Sequence, residues 1–300
     1  MIVHADNVFK KFGRFDALRG LSFSVPEGSA FALIGANGAG KTTTIKVLMN
    51  IIAPTTGDAT VLGVNTRAVS PKELAQIGYV SENQHMPGRM TVSAYLDYLR
   101  PFYASWDRAL EADLLGQLRL PPERRIKDLS HGMRLKMALA CALPFRPKLL
   151  VLDEPFSGLD PLVRDELLER LMRHAGEMTI LISSHELAEI ELLTTHVAFL
   201  DGGRLLFQEA MSDLTARLRK VLVTLDAAAH APAQTPKEWL EVRAVGNLLS
   251  FVDTRFSEQD LTARVAAVVG KVRHITTEPI ALRSIYTTLA RAVRDESART

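Results

Sequence analysis

Three features of the 300-residue sequence predict an α/β fold built around a parallel sheet. A short apolar run, Ala30 to Ile34, leads into the glycine-rich loop GANGAGKTT (residues 35–43), and helical spacing begins at about Lys41. A second unbroken apolar run, Leu149 to Leu152, ends in two adjacent carboxylates, Asp153 and Glu154. Beyond it, strand-like runs at Thr179–Ser183 and His196–Leu200 flank a helical stretch around Glu186–Leu193, which is strand–helix alternation.

The first loop fits the pattern G-x-x-x-x-G-K-[ST], with Gly35, Gly40, Lys41 and Thr42 at the fixed positions. In such a turn the backbone N–H groups of Gly35, Ala36, Asn37, Gly38, Ala39 and Gly40 converge on phosphate oxygens. The N-terminus of the following helix adds its partial positive charge. Lys41 is expected to reach the β- and γ-phosphates, the Thr42 hydroxyl to ligate Mg²⁺, and Thr43 to donate a further bond to a phosphate.

Leu149 to Leu152 reads as a strand buried on both faces of a parallel sheet. Carboxylates at its carboxyl end lie where ligands bind in open α/β sheets. Asp153 is the candidate to hold Mg²⁺ through water. Glu154 is the candidate to polarise an attacking water, because phosphoryl hydrolysis depends mainly on positioning and electrostatics.

Together with LSHGM (129–133), SGLD (157–160) and SSH (183–185), these motifs resemble the nucleotide-binding subunits of ATP-binding cassette (ABC) transporters over about residues 1–212. The resemblance implies a P-loop NTPase of ABC ATPase type that binds ATP and Mg²⁺ and hydrolyses ATP. In that family two subunits sandwich two ATP molecules, and LSHGM corresponds to the LSGGQ loop that faces the partner's γ-phosphate. Ser130 then supplies a hydroxyl and Gly132 a backbone N–H to a developing anionic charge. SGLD corresponds to the family's D-loop, so Asp160 is expected at the composite site, and His185 to its switch histidine on the γ-phosphate. Phe12, in KKFG, sits where the family stacks an aromatic on adenine.

Two departures stand out. LSHGM carries His131 and Met133 where the family has Gly and Gln, while Ser130 and Gly132 are kept. The family's Q-loop glutamine follows a tyrosine by three residues; here Tyr79 leads to Glu82, and Gln84 comes two positions late. Glu82 is expected to hold the role, accepting from Mg²⁺-bound water and adding a negative charge near the ion.

The order of elements follows. Residues 1–34 alternate as strands and turns, the family's antiparallel β edge. Residues 35–81 supply the phosphate loop, its helix and a strand ending at Tyr79-Val80. Residues from about 85 to 148 are helix-rich and correspond to the inserted helical subdomain, where a groove beside the Glu82 loop receives a coupling helix of the permease. Tyr95, Tyr98, Phe102, Tyr103 and Trp106 are candidates to line it, with subdomain core the favoured reading for most of them. Residues 213–300 form a small α+β accessory domain: strands at Lys220–Leu225, Trp239–Ala244, Leu248–Asp253 and Lys271–Thr276, a loop at His230–Pro236, a helix capped by Ser257 and running to about Val269, and a last amphipathic helix from about Ile280.

The formal charge of +2 gives no reason to expect nucleic acid. One cysteine, Cys141, excludes an intramolecular disulfide framework and a Cys-rich zinc site. No apolar run approaches 18 residues, and the N-terminus MIVHADNVF lacks a signal-peptide core. FYASWD and LSHGM resemble the bacterial subgroup paired with separate exporter-type (ABC-2-like) permeases. This implies transport, in the export direction, by a peripheral subunit at the cytoplasmic face of the cell membrane. One phosphate loop gives half of each composite site, so a homodimer is expected. The alternative is a soluble ABC ATPase acting on a nucleic-acid or ribosomal assembly. The chromosome type needs a long coiled coil between the phosphate loop and LSHGM, where only about ninety residues intervene, and the repair type needs cysteine zinc sites, which one cysteine cannot build.

Overall fold

A computed structural model describes residues 1–82, 84–173, 176–185, 190–226, 232, 235–281, 284–285 and 288. The chain divides into two units, Met1–Gln208 and Glu209–Thr300.

β1 (Val3–Phe12) and β2 (Phe15–Val25) form an antiparallel pair running from Val3↔Val25 to Phe12↔Phe15, with register shifts between Ala5 and Val8, Val8 and Phe9, and Lys10 and Lys11. β3 (Ala30–Ile34), the phosphate-motif loop and α1 (Lys41–Leu48) follow. β4 (Thr56–Val61) and β5 (Val64–Asn65) return to the first sheet, whose order is β2-β1-β4-β5. These last two strands escape sequence reading because TGDATV is half polar, and its pairing to β1 is a long-range contact. α2 (Pro71–Leu74) is fixed by a Ser70/Glu73 capping box and leads into β6 (Ile77–Ser81).

The helical insert contains α3 (Val92–Leu99), α4 (Arg108–Gln117) and α5 (His131–Ala142), capped by the side chains of Thr91, Asp107 and Ser130 respectively. Its hub is Glu111, whose carboxylate accepts from Arg100 Nε (2.8 Å) and Trp106 Nε1 (2.6 Å). Burial pushes the Glu111 carboxyl up, but its bonds to Arg100 and Trp106 hold it below the usual value. Of the five aromatics named as groove candidates, with core favoured for most, none is fully buried: Tyr98 and Phe102 are exposed, and Tyr95, Tyr103 and Trp106 are half-buried. Tyr103 stacks on Phe145 at 4.0 Å, and Tyr98 packs edge-on against Phe102. Cys141 is buried, as read, and burial pushes its thiol well up.

β7 (Leu149–Asp153), α6 (Pro161–Arg173), β8 (Thr179–Ser184), β9 (His196–Asp201) and β10 (Arg204–Ala210) complete a six-stranded sheet of order β10-β9-β3-β8-β7-β6. Pairing is parallel from β9 through β3, β8 and β7 to β6. β3, β7 and β8 are buried along their whole length, with the apolar centres that strands covered on both faces require, and Asp153, Ser183 and Ser184 are buried polar residues at the carboxyl ends of β7 and β8. The core lies between this sheet and the antiparallel one, with α1 included: Phe31, Leu33, Ile45 and Val151 meet Leu18, Leu21 and Val25. Residues 186–189 of the helix expected around Glu186–Leu193 lie outside the described residues.

The second unit starts with α7 (Met211–Arg217). β11 (Arg219–Leu225), β12 (Trp239–Val245), β13 (Leu248–Asp253) and β14 (Val272–Pro279) form an antiparallel sheet of order β12-β13-β11-β14, to which α8 (Leu261–Val269) adds its apolar face. Val221, Val223, Trp239, Phe251, Leu261 and Val265 are its core. The helix starts at Leu261, not at Ser257. Asp260 occupies the N-cap position with no side-chain cap bond, and Ser257 offers only its backbone oxygen to Leu261 N. Most of the His230–Pro236 loop and of the last helix lies outside the described residues. Among the described residues no helix is long and apolar enough to cross a membrane.

Candidate nucleotide site

The site forms at the carboxyl ends of β3, β7 and β8, which sit side by side in the sheet. The turn after β3 is held tightly by its neighbours. A Cβ on Gly35 would lie 2.4 Å from the backbone oxygen of Leu200 at the end of β9. Gly40 has φ 107°, and a Cβ there would meet the Ala17 oxygen at 2.9 Å. The glycines therefore serve packing of the loop as well as the exposure of its N–H groups.

Gly40 is also the N-cap of α1, and no side chain accepts from that helix's first turn. Within the same unit α3, α4 and α5 carry a side-chain cap, while α7 and α8 of the second unit, like α1, carry none. An uncapped helix start with its dipole exposed suits an anion.

Lys41 is buried, and its ammonium donates to Gly35 O (2.6 Å) and Ala36 O (3.2 Å) and pairs with Glu154 Oε1 at 3.0 Å. The other Glu154 oxygen, Oε2, lies 2.7 Å from His185 Nδ1. Glu154 thus bridges the lysine of the loop and the histidine after β8. Its backbone has φ 50°, a conformation uncommon for a residue with a side chain.

Asp153 is buried, and Oδ1 accepts from Thr42 Oγ1 (3.0 Å) and Ser183 Oγ (2.7 Å). Burial raises the carboxyl of Asp153 above its usual value, opposed by the Ser183 and Thr42 hydrogen bonds and reinforced by the neighbouring Glu154 charge. Thr42 and Asp153 offer hard oxygens, and among the described residues no cluster of three or more His, Cys, Asp or Glu side chains forms a metal cage. That donor set fits Mg²⁺, which takes one or two protein oxygens and fills its shell from phosphates and water.

Ser183 was not assigned a role from sequence. It is fully buried, donates to Asp153 and accepts the Glu154 N–H at 3.0 Å. The usable signal is register: Ser183 is the parallel partner of Asp153 and a polar residue ending an apolar strand.

The remaining candidates lie around this centre or apart from it. Glu82 is exposed just beyond β6, and its N–H donates to Asp153 O at 3.1 Å. Gln84 directs a buried Oε1 with no hydrogen-bond partner. Thr43 follows Thr42 in the first turn of α1. Phe12 is 50% exposed at the end of β1, with Lys10 Nζ 5.1 Å from its ring centroid. It is a surface aromatic and not a core residue.

Ser130 caps α5 through Met133 N (3.3 Å), and Asp160 accepts from Leu162 N (2.9 Å) at the start of α6. Among the described residues, no hydrogen bond joins Ser130, Gly132 or Asp160 to the 35–43 loop. The structure therefore gathers Lys41, Thr42, Asp153, Glu154 and His185, and leaves the LSHGM turn and Asp160 outside that cluster.

The chain matches the family model described as ABC transporter over residues 18–157. The bacitracin transport ATP-binding protein BcrA of Enterococcus faecalis is 30% identical over 223 residues, covering 73% of this chain and 72% of BcrA. The chain belongs to the ABC transporter ATP-binding family. The probable multidrug ABC transporter ATP-binding protein YbhF of Escherichia coli (strain K12) is 32% identical over 223 residues, which are 72% of this chain. Those residues are only 38% of YbhF, so the chain spans well under half of that relative. Among solved structures, an ATP binding subunit of an ABC transporter superposes with a TM-score of 0.66 at 28% identity, over 72% of this chain and 92% of that one. The two sheets and the helical insert are thus the ABC ATPase fold.

Proposed function

We propose that this chain is the ATP-hydrolysing, nucleotide-binding subunit of an ABC transporter that powers export through a separate membrane permease. The observation that carries the reading is Glu154, held between Lys41 and His185 next to the Thr42–Asp153 pair. A phosphate-binding lysine, a cation-binding pair and a carboxylate at hydrogen-bonding distance of a histidine are the parts that ATP hydrolysis needs.

The phosphates of ATP lie on the N–H groups of Gly35 to Thr43. Lys41 turns its ammonium from the loop carbonyls to the β- and γ-phosphates, leaving Glu154 free to accept from water. Thr42 and Asp153 hold Mg²⁺, with Glu82 accepting from one of its waters. When bound, Mg²⁺ neutralises charge that builds on the phosphate oxygens. Glu154 orients the attacking water and takes its proton, and His185 holds both Glu154 and the γ-phosphate. Phe12 stacks on adenine with its exposed face.

One chain carries one phosphate loop, so Ser130, Gly132 and Asp160 complete the site of a second copy in a homodimer. A cleft of about 400 Å³ lined by Ile51, Leu74, Gln84, Tyr95, Tyr103 and Phe145 is the dock for the permease's coupling helix. Through that partner the chain works at the cytoplasmic face of the membrane. ATP binding closes the pair and hydrolysis reopens it, a shift limited by the difference in ATP affinity of the two states. The second unit is an accessory domain.

The test is a mild-detergent pull-down of the Glu154→Gln chain from native membranes with ATP and Mg²⁺. Co-purification of a multi-spanning membrane protein supports the transporter. Recovery only from the soluble fraction with nucleic acid or ribosomes overturns it.

A further inference from the structure

His131 takes the place of the first glycine in the family's LSGGQ loop, and its imidazole makes a contact a glycine cannot make. His131 Nε2 lies 3.1 Å from the backbone oxygen of Ser157. A carbonyl only accepts, so Nε2 carries the hydrogen and donates. Ser157 is three residues beyond Glu154, and its own N–H bonds back to Glu154 O at 3.4 Å. Two hydrogen bonds in series therefore join the first turn of α5 to the backbone of the candidate base.

The surrounding contacts make this link stiff. A Cβ on Gly132 would come within 3.3 Å of Val163 Cγ1 and 3.7 Å of Leu159 Cδ2, so α5 lies flush against the SGLD segment and the start of α6. One turn further along α5, Lys136 Nζ donates to Glu166 Oε2 of α6 at 2.7 Å. The Ser157–Asp160 segment is thus held to α5 from the side on which Ser130 and Gly132 are presented.

We propose that His131 is a positioning residue that couples the LSHGM turn to Glu154 within one chain. The inference rests on the proposed ATPase dimer for its functional half only. In that dimer Ser130 and Gly132 face the partner's nucleotide, while Glu154 serves the chain's own. A nucleotide seated against LSHGM then biases the Ser157 carbonyl, and through it the Glu154 backbone, so that the two sites of the dimer communicate. His131 touches neither nucleotide nor water in this scheme.

The experiment compares the wild type with His131→Ala and His131→Gln, the second keeping an N–H donor at comparable reach. Hydrogen exchange at the Ser157 and Leu159 amides is measured first, without ATP, together with the melting curve. We expect exchange to quicken about fivefold to tenfold in His131→Ala, the size of one lost hydrogen bond, and to return toward wild type in His131→Gln. Equal exchange in all three chains overturns the tether, whether or not the chain hydrolyses ATP. ATPase activity against ATP concentration is measured next. His131→Ala is expected to lower the Hill coefficient toward 1 and kcat by several-fold, with monomer ATP affinity unchanged and His131→Gln rescuing both. An unchanged Hill coefficient alongside quickened exchange overturns the coupling role, and absent wild-type ATPase with quickened exchange overturns the proposed function while leaving the tether in place.

Discussion

Ser183 Oγ lies 2.7 Å from Asp153 Oδ1 while accepting the Glu154 N–H at 3.0 Å, so one hydroxyl on β8 fixes both carboxylate residues of β7. The bond to the Glu154 N–H matters because that residue holds φ 50°. Such a conformation persists only where surroundings over-determine it.

Ser183→Ala removes both bonds and leaves the part-buried Glu154 N–H unpaired. It is expected to destabilise the fold by about 2 kcal/mol and to lower kcat for ATP with little change in KM. Denaturant melts and steady-state kinetics check this. A variant with wild-type kcat would show that Glu154 keeps its conformation without help.

Gly35→Ala places a methyl group 2.4 Å from the Leu200 backbone oxygen, where nothing flexible can yield. A loss of about 3 kcal/mol or more is expected, together with loss of nucleotide binding. Thermal melts with and without Mg-ATP test it. Wild-type stability with ATP-induced stabilisation intact would contradict the packing role given to this glycine.

Asp153→Asn separates function from stability. Burial raises the Asp153 carboxyl, so its proton is held more tightly in the folded chain than in the unfolded one. The contribution of this group to stability therefore falls as pH rises from about 3.9, the unfolded value, through the raised folded value. Above that window the residue is charged and costs stability. The asparagine variant is expected to melt a few degrees higher at pH 7, to lose this part of the pH dependence, and to lose Mg²⁺-dependent turnover. A melting temperature at or below wild type at pH 7 would speak against a net burial cost.

Glu111→Ala leaves Arg100 and Trp106 without their shared acceptor. A cost of about 2 kcal/mol is expected, below that of a fully buried pair because Arg100 is partly solvated. Glu111 is held below its usual value, so its stabilisation is present above the unfolded carboxylate value and is lost as pH falls through the folded one. Hydrogen exchange should quicken in α3 and α4 before the sheet. Uniform protection would place the hub's role elsewhere.

The sequence by itself determined the parallel sheet and the chemistry at the carboxyl ends of its strands. Unbroken apolar runs specify β3 and β7, and a glycine loop with Lys41 and Thr42 can follow a strand in few ways. Adjacent motif residues such as Asp153 and Glu154 are local, so spacing alone brings them to one strand end. Only the tertiary structure decided what depends on contacts between distant residues. Ser183 is set against Asp153 by strand register, and the half-polar β4 pairs with β1 across the chain. The start of α8 is likewise fixed where its apolar face meets the sheet, and not by the nearest capping residue. The LSHGM turn is legible as a motif, but its hold on Ser157 comes from the packing of α5 against α6, which no local pattern encodes.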